Sequence, residues 1–283
     1  MKSIIWIVLI GALLFAALRM LEHASLYLPT LTHEAHPGTY GISYEEIKLT
    51  TEDGLTLDAW FIDGNKPTSG IDDPPLPSMT RLLKNPIVLF FHGNGGNISH
   101  RIQKIRYFVE MGASVLIFDY RGYGKSEGRP NEKGTYQDAR AAAAEALLRA
   151  DGDSSRIFYY AESLGCAVAL QTALDLPPQA LVLDSAFTST AEMGALVFPW
   201  LPSRLIVKNR YDNIFKIKNL GVPLLVLHSS GDDIIPFEMG RRLFEAAPEP
   251  KKFVETTGDH NGGFLDSPNW GPAIADFLKE KLP

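Results

Sequence analysis

Residues 156–165 read Arg-Ile-Phe-Tyr-Tyr-Ala-Glu-Ser-Leu-Gly, in which a strand pattern passes directly into a helix pattern. The apolar and aromatic residues predict a buried strand, and a helical spacing of Ala, Val and Leu begins directly after Ser163. Only a very tight turn fits between them, so Ser163 is expected to have a strained backbone. The positions two before and two after it must be small, and they are Ala161 and Gly165.

Such a turn would lift the hydroxyl of Ser163 clear of the sheet. The free N–H groups of the new helix would point toward whatever that hydroxyl attacks. The pattern is that of a nucleophile elbow, usually G-x-S-x-G, with Ala161 at the first small position. A plain N-cap serine is the alternative, since Ser often caps helices. The rest of the chain has to distinguish the two.

The N-terminal segment predicts an encounter with a membrane. Residues 4–18 contain no charge and are followed by Arg19. We predict that residues 1–21 form an uncleaved, single-span anchor and that the remaining domain lies outside the cytoplasm. A cleaved signal is the second interpretation, although Ala16-Ala17 before Leu18 and Arg19 make a poor cleavage site. A buried helix is disfavoured because the run is apolar on every face.

Composition restricts what the remaining chain can do. About 260 residues beyond the anchor suit one α/β domain with a large core. The formal net charge of -6 gives no basic footprint, so nucleic acid is not an expected partner. The single Cys166 excludes an intramolecular disulfide and a cysteine-based metal cluster, and we expect it to be a small packing residue.

The first segments after the anchor are predicted to be a linker and an edge hairpin. Residues 22–40 are polar and interrupted by proline, so we expect an exposed linker whose His23, His33 and His36 bind no metal. The globular domain is then 41–283. Two strand patterns flank the Asp-Gly turn at 53–54, which predicts an antiparallel hairpin at one edge of the sheet. The proline-rich residues 63–85 are expected to be a mobile surface loop.

A glycine-rich loop follows the next strand pattern. Residues 86–91 are apolar and run into His-Gly-Asn-Gly-Gly-Asn at 92–97. We predict an oxyanion-binding loop in which the N–H groups of Asn94 and Leu164 hold a developing negative charge. A phosphate cradle fits less well, because the Lys-Ser/Thr ending of a nucleotide loop is missing. A plain glycine-rich turn is the remaining alternative.

Strand and helix patterns then alternate toward the elbow. We predict a helix over 98–111, a strand over 114–119, a glycine-rich loop over 120–128 and a helix over 132–150. This alternation indicates parallel pairing with right-handed crossovers. Sites in such sheets lie at the carboxyl ends of the strands, which is where both glycine loops and Ser163 fall.

Three motifs carry a family resemblance: His-Gly-Asn-Gly at 92–95, Asp-Tyr-Arg-Gly-Tyr-Gly-Lys-Ser at 119–126, and Ser-Leu-Gly at 163–165. The chain resembles the α/β-hydrolase superfamily and, within it, the Bem46-like group of membrane-anchored serine hydrolases. The resemblance implies an α/β-hydrolase fold: a mostly parallel central sheet with the antiparallel N-terminal edge hairpin, helices on both faces and a small lid. It also implies that an acid and then a histidine follow Ser163.

Both residues are present in that order. A strand pattern over 223–228 leads into Ser-Ser-Gly-Asp-Asp-Ile-Ile-Pro at 229–236, and the family's position four residues before the proline selects Asp232 over Asp233. A last strand pattern over 253–256 is followed by His260 in a glycine-flanked loop. Asp184 also ends a predicted strand and competes with Asp232. His92 and His228 are expected to support the backbone.

The resemblance therefore implies a Ser163, Asp232 and His260 triad that hydrolyses a carboxylic ester or thioester through an acyl-enzyme, with no metal or cofactor. Residues of about 186–221 leave room for a short lid, whose aromatic and aliphatic side chains predict an apolar acyl pocket or, alternatively, core. The expected partners are a small-molecule or lipid ester and the membrane. The competing class is a catalytically silent scaffold, favoured by Ala161, and a peptidase is less favoured.

Overall fold

The computed structural model describes residues 2–66 and 86–281. Its strands are β1 (Leu28–Pro29), β2 (Glu45–Thr50), β3 (Thr56–Ile62), β4 (Ile87–Phe91), β5 (Gly95–Gly96), β6 (Ser114–Phe118), β7 (Ile157–Glu162), β8 (Ala180–Asp184), β9 (Leu224–Ser229) and β10 (Lys251–Thr256). Its helices are α1 (Lys2–Leu26), α2 (Ile102–Glu110), α3 (Glu132–Arg149), α4 (Leu164–Asp175), α5 (Thr190–Val197), α6 (Ser203–Ile206), α7 (Asn213–Lys216), α8 (Phe237–Ala246), α9 (Gly263–Asp266) and α10 (Trp270–Lys281).

Eight of the strands form one sheet in the order β10-β9-β8-β7-β4-β6-β3-β2. The pairs from β10 to β6 are parallel, whereas β3 is antiparallel to both of its neighbours. The strands β4, β6, β7, β8 and β9 are buried along their whole length, which explains their continuous apolar sequence. The carboxyl ends of these parallel strands therefore share one edge of the sheet.

Helices cover both faces of the sheet, so the core has two apolar layers. One layer joins the sheet to α3, α4 and α8, and the other joins it to α2 and α10. The small side chains of α3 and α4 are buried in the first layer, which lets these two helices pack closely on each other and on the sheet. Large aromatic side chains such as Phe108 and Trp270 fill the second.

The predicted hairpin at the edge of the sheet is confirmed. Strands β2 and β3 pair antiparallel from Glu45 opposite Phe61 to Thr50 opposite Thr56, and β2 is the last strand of the sheet. The mobile loop expected over 63–85 lies mostly outside the described residues. The lid segment contains the short helices α5, α6 and α7.

The expectation that His33 lies in an exposed linker was wrong. Its side chain is only 1% exposed, and its Nε2 lies 2.7 Å from Asp119 Oδ2. Strand β1 of the same segment pairs in parallel with β5 of the glycine-rich loop, and Tyr27 beside it is buried. The linker interpretation failed because this segment packs on the domain, where the carbonyls of Thr30 and Thr32 accept hydrogen bonds from Asn97.

One helix of the described residues, α1, is long and apolar enough to cross a membrane. The window that meets this criterion is Leu9–Leu26, with a mean hydropathy of 1.5, and none of it is buried inside the domain. The helix continues five residues beyond the predicted segment of residues 1–21, ending at Leu26. Its last turns contact the lid.

Candidate active site

The predicted elbow forms at Ser163. Ser163 lies between β7 and α4 and has φ 53° and ψ -119°. This backbone conformation is unusual for a residue other than glycine. A Cβ atom at Gly165 would overlap the carbonyl of Phe91, which explains the requirement for glycine there. Ala161 is fully buried and is compatible with the same turn. The elbow geometry therefore persists with alanine at its first small position.

Asp232 and His260 are brought together from two loops. Asp232 Oδ2 lies 2.8 Å from His260 Nδ1, and Asp232 Oδ1 accepts hydrogen bonds from the N–H groups of Ile234 and Ile235 at 3.0 and 2.8 Å. Burial opposes ionisation of Asp232, but the His260 contact and these N–H donors outweigh it and lower its pKa to about 2. Asp232 is therefore a carboxylate at neutral pH.

This carboxylate selects the tautomer of His260. Nδ1 carries the hydrogen and donates it to Asp232, so Nε2 of the neutral ring keeps a lone pair. The main chain is held as well, because the N–H of His260 donates to Asp233 Oδ1 at 3.1 Å. The hydroxyl of Ser229 donates to the carbonyl of Gly258 at 2.5 Å and ties the two loops together. Asp232 thus orients the ring, while Asp233 and Ser229 hold the main chain of its loop.

The competing acid, Asp184, hydrogen-bonds to residues other than His260. Its Oδ2 accepts a hydrogen bond from the hydroxyl of Tyr160 at 2.6 Å and from Nε1 of Trp270 at 2.9 Å. Lys104 Nζ is 3.7 Å from the same oxygen. Among the described residues, Asp232 rather than Asp184 hydrogen-bonds to the ring of His260.

The glycine-rich loop packs directly on the elbow. A Cβ atom at Gly93 would lie 3.4 Å from Cβ of Ser163. The carbonyl of Asn94 accepts hydrogen bonds from the N–H of Leu28 at 3.0 Å and the hydroxyl of Tyr123 at 2.9 Å. Within residues 2–66 and 86–281, the N–H groups of Asn94 and Leu164 have no protein acceptor. Both residues line the same cavity as Ser163.

Sequence reasoning missed a charge cluster beside the elbow. Glu162 forms an ion pair with Arg101 and accepts a hydrogen bond from Lys104 Nζ at 2.5 Å and from the N–H of Gly93 at 3.3 Å. Arg101 Nη2 also donates to the carbonyl of Gly95 at 2.9 Å. Burial opposes ionisation of Glu162, yet the two cations hold its pKa well below the ordinary value. The cluster joins the elbow to the glycine-rich loop.

His92 and His228 are buried, and each contacts a backbone carbonyl. His92 Nδ1 lies 2.7 Å from the carbonyl of Gly93, and His228 Nε2 lies 3.0 Å from that of Ile235. Burial lowers the pKa of both rings, to about 4 for His92, so both are neutral at pH 7. His228 Nε2 is also 3.5 Å from Asp232 Oδ2, close enough to help hold that carboxylate.

One buried group has the chemistry of metal ligands: His33, Asp58 and Asp119. Part of the group is paired internally, because His33 Nε2 lies 2.7 Å from Asp119 Oδ2, whereas His33 Nδ1 and Asp58 Oδ2 lie 3.8 Å apart and neither has a hydrogen-bond partner among the described residues. Lys48 Nζ lies 2.5 Å from Asp58, and the N–H of Ile98 donates to Asp119 at 2.9 Å. The two ring nitrogens point to different carboxylates, so we interpret the group as a polar link between β3, the carboxyl end of β6 and the segment after α1.

Arg121 shapes the next loop through ion pairs with Asp53 at 2.9 Å and Asp138 at 2.8 Å. Burial raises the pKa of Asp138 to about 6, although the contacts from Arg121 favour its charged form. Arg121 therefore joins the hairpin turn to α3. Neither it nor Asp119 hydrogen-bonds to Ser163, Asp232 or His260 within the part of the chain that the structure describes.

Two cavities meet at Ser163. The apolar cavity, of about 250 Å³, lies between the last turns of α1 and the lid. Its apolar lining includes Leu18, Leu21, Met193, Phe198, Leu201 and Val207. The lid side chains therefore form a pocket rather than core alone.

The polar cavity, of about 440 Å³, lies on the other side of Ser163 and contains His260. It is lined by the glycine-rich loop and by Arg101, Lys104 and Glu162. Its two cations are paired with Glu162 and Asp184, so the cavity is polar without a strong excess of either charge. Ser163 thus lies between an apolar and a polar compartment.

Comparison with known proteins agrees with this architecture. Residues 86–212 match the family model described as the alpha/beta hydrolase fold. An esterase of Pyrococcus furiosus, Pf2001, has a similar structure with a TM-score of 0.71 at 19% identity, covering 91% of this chain and 100% of that one. An acetyl xylan esterase from Paenibacillus sp. R4 has a TM-score of 0.65 at 18% identity, covering 95% and 94%. These likenesses confirm the predicted fold.

Relatives by sequence define the family more closely. An uncharacterized protein of Mycobacterium tuberculosis is 40% identical over 83% of this chain and 79% of its own length. Protein bem46 of Schizosaccharomyces pombe is 34% identical over 86% of this chain and 79% of its own. The chain belongs to the α/β-hydrolase superfamily, within the group that includes bem46.

Proposed function

We propose that the protein is a serine hydrolase that cleaves a carboxylic ester or thioester through an acyl-enzyme. The observation that carries the proposal is the hydrogen bond between Asp232 and His260, at 2.8 Å, beside a strained Ser163 that lines the same cavity as His260. The three residues follow one another in the chain as nucleophile, acid and base, which is the order typical of the fold. The esterases among its structural relatives support the same class.

In the first step, Ser163 Oγ attacks the carbonyl carbon and Nε2 of His260 takes the hydroxyl proton. Asp232 stabilises the imidazolium that forms. The N–H groups of Asn94 and Leu164 would hold the oxyanion, each contributing about 2.7 to 4 kcal/mol in the transition state. His260 then gives the proton to the leaving alcohol or thiol. Water repeats the sequence on the acyl-enzyme and releases the acid.

The two cavities suggest how a substrate is placed. An alkyl chain suits the apolar cavity, because most of its lining surface is hydrophobic. The polar alcohol side of an ester suits the cavity that contains His260, where a leaving group must receive its proton. We therefore propose a substrate with an apolar acyl chain and a polar leaving group.

We further propose that α1 is a retained membrane anchor, with the hydrolase domain outside the cytoplasm. Leu18 and Leu21 of this helix line the apolar cavity, so cleavage as a signal would remove part of the cavity wall. Arg19 and Glu22 also bind the lid backbone. These contacts favour retention of the helix over removal.

Hydrolysis of p-nitrophenyl esters tests the proposed function. The full chain should hydrolyse butyrate and octanoate esters faster than the acetate ester. Ser163→Ala should lower kcat by roughly 10⁶-fold. Loss of activity as the chain lengthens from acetate to octanoate would contradict the apolar acyl substrate. The same low rate in wild type and Ser163→Ala would favour the silent scaffold instead.

A further inference from the structure

The last turns of α1 and the lid form one packed unit. The guanidinium of Arg19 donates to the carbonyl of Ile206. Glu22 Oε1 accepts hydrogen bonds from the N–H groups of Lys208 and Asn209 at 2.9 and 2.7 Å. Arg19 and Glu22 also pair with each other at 2.7 Å. Because these contacts fix the lid backbone to the helix, the position of α1 in a membrane determines the position of the lid.

The path of α1 places that unit close to the bilayer. The first residue of α1 to line the cavity under the lid is Leu18, whereas the described side chains from Ile5 to Ala17 are exposed. The exposed apolar part of α1 continues in the same helix into the turns that bind the lid. If the exposed part lies in a bilayer, the lid-bound turns, which follow it directly, lie next to the membrane boundary.

The outer surface of the lid has the composition expected at such a boundary. We call this surface the lid patch. Its exposed members are the apolar Leu196, Val197, Trp200 and Leu205 and the cations Arg204 and Lys208. Trp200 is 74% and Leu205 86% exposed. Tryptophan and leucine beside arginine and lysine are typical of protein surfaces that lie at the level of lipid headgroups.

We propose that the lid patch inserts into the headgroup region of the same bilayer that α1 enters. The apolar cavity lies between α1 and the lid, so its mouth would then face lipid rather than water. Lipid esters would enter it sideways from the membrane. The insertion of the lid patch depends on the proposed membrane anchor. The identification of the entering molecule as a lipid ester depends on the proposed esterase function.

Quenching of tryptophan fluorescence tests the insertion of the lid patch without a measurement of hydrolysis. The full chain is reconstituted in vesicles of phosphatidylcholine and phosphatidylglycerol with bromine on the acyl chains near the headgroup. Trp6→Phe leaves Trp200 as the exposed reporter, and Trp200→Phe leaves Trp6 of the anchor. Trp60 and Trp270 are buried in both and give a constant background. The double variant Trp6→Phe/Trp200→Phe measures that background.

The proposal predicts that brominated lipid removes Trp200 emission in the Trp6→Phe protein. Quenching of Trp6 without quenching of Trp200 would overturn the insertion of the lid patch but not the membrane anchor. Quenching of neither residue would overturn both the insertion and the anchor. Shielding of Trp200 from both lipid bromine and aqueous iodide would mean that another protein copy covers the patch, which also overturns the proposal.

Matched substitutions separate the patch from general effects on the surface. Leu205→Ser should weaken the quenching of Trp200 by brominated lipid. Leu148→Ser removes a side chain that is 72% exposed on α3, away from the lid, and should leave the quenching unchanged. Both substitutions are made in the Trp6→Phe protein, and equal quenching in that protein and in its two variants would overturn the insertion of the lid patch.

Discussion

At the scale of single residues, the site depends on Asp232 for the tautomer of His260. Asp232→Asn keeps the shape of the side chain but loses the carboxylate that accepts the Nδ1 hydrogen at 2.8 Å. We expect kcat on a p-nitrophenyl ester to fall by roughly 10⁴-fold. Asp184→Asn provides the contrast, because Asp184 contacts Tyr160 and Trp270 instead of His260. An equal loss of kcat in the two variants, with both folded, would contradict the assignment of Asp232.

Glu162 is predicted to act by positioning rather than by contact with substrate. Glu162→Gln leaves Arg101 without its carboxylate partner and Lys104 with Asp184 alone, at 3.7 Å, which should destabilise the fold by about 3 kcal/mol. The same change frees the loop that carries Asn94, so kcat should fall more than KM rises. Urea unfolding and steady-state kinetics measure both effects. Unchanged kcat together with reduced stability would limit Glu162 to a structural role.

The low pKa of Glu162 gives a prediction in acid. Its pKa in the folded protein lies below the ordinary value of 4.5, so the ionised group stabilises the fold above that pH. This contribution is lost as the pH falls toward the folded-state pKa. The free energy of unfolding should therefore decline more steeply in wild type than in Glu162→Gln between neutral pH and about pH 3. Parallel curves would contradict the ionic role of Glu162.

At the scale of elements, the apolar cavity separates two short segments, the lid and the end of α1. Val207→Phe places a larger side chain in the cavity wall. We expect KM for octanoate esters to rise by about 10-fold, while acetate hydrolysis stays close to the wild-type rate, because one or two lost methylene contacts are worth about 1 to 3 kcal/mol. Leu148→Phe on the exposed face of α3 serves as the control. Equal losses on both esters would indicate general damage.

The segment after α1 is held to the domain by His33. His33→Ala leaves Asp58 and Asp119 buried without this partner and should lower the free energy of unfolding by about 3 kcal/mol. For a domain of this size, that corresponds to a decrease in Tm of roughly 6 to 12 °C. His23 is exposed, and His23→Ala should change stability by less than about 0.5 kcal/mol. Similar melting of the two variants would contradict the link.

At the scale of the whole molecule, the sequence predicted features that depend on neighbouring residues and missed contacts between residues that are far apart in the chain. The elbow is specified within five residues, because a tight turn demands small neighbours and Gly165 supplies one. The loops with Asp232 and His260 were also located, since each follows an apolar strand pattern. The ion pair between Arg101 and Glu162 spans 61 positions, and the contact between Arg19 and the lid spans 187. Such pairs depend on the order of strands and on the path of α1, which no local pattern encodes.

The burial of His33 shows the same limit in a single residue. Its segment is polar and contains prolines, a composition typical of linkers. In the folded molecule it meets Asp119, 86 positions later, at the carboxyl end of β6. The partner exists only once the parallel sheet has formed, so composition alone favoured the wrong interpretation.

Labelling with a fluorophosphonate probe shows whether Ser163 is an activated nucleophile. The full chain, Ser163→Ala and His260→Ala are treated with the probe, and the modified residue is located by peptide mass analysis. We expect one phosphonylated residue, Ser163, with no labelling in Ser163→Ala and a severe loss in His260→Ala. A folded wild-type protein that stays unlabelled, or that is labelled at another residue, would contradict the proposed serine hydrolase.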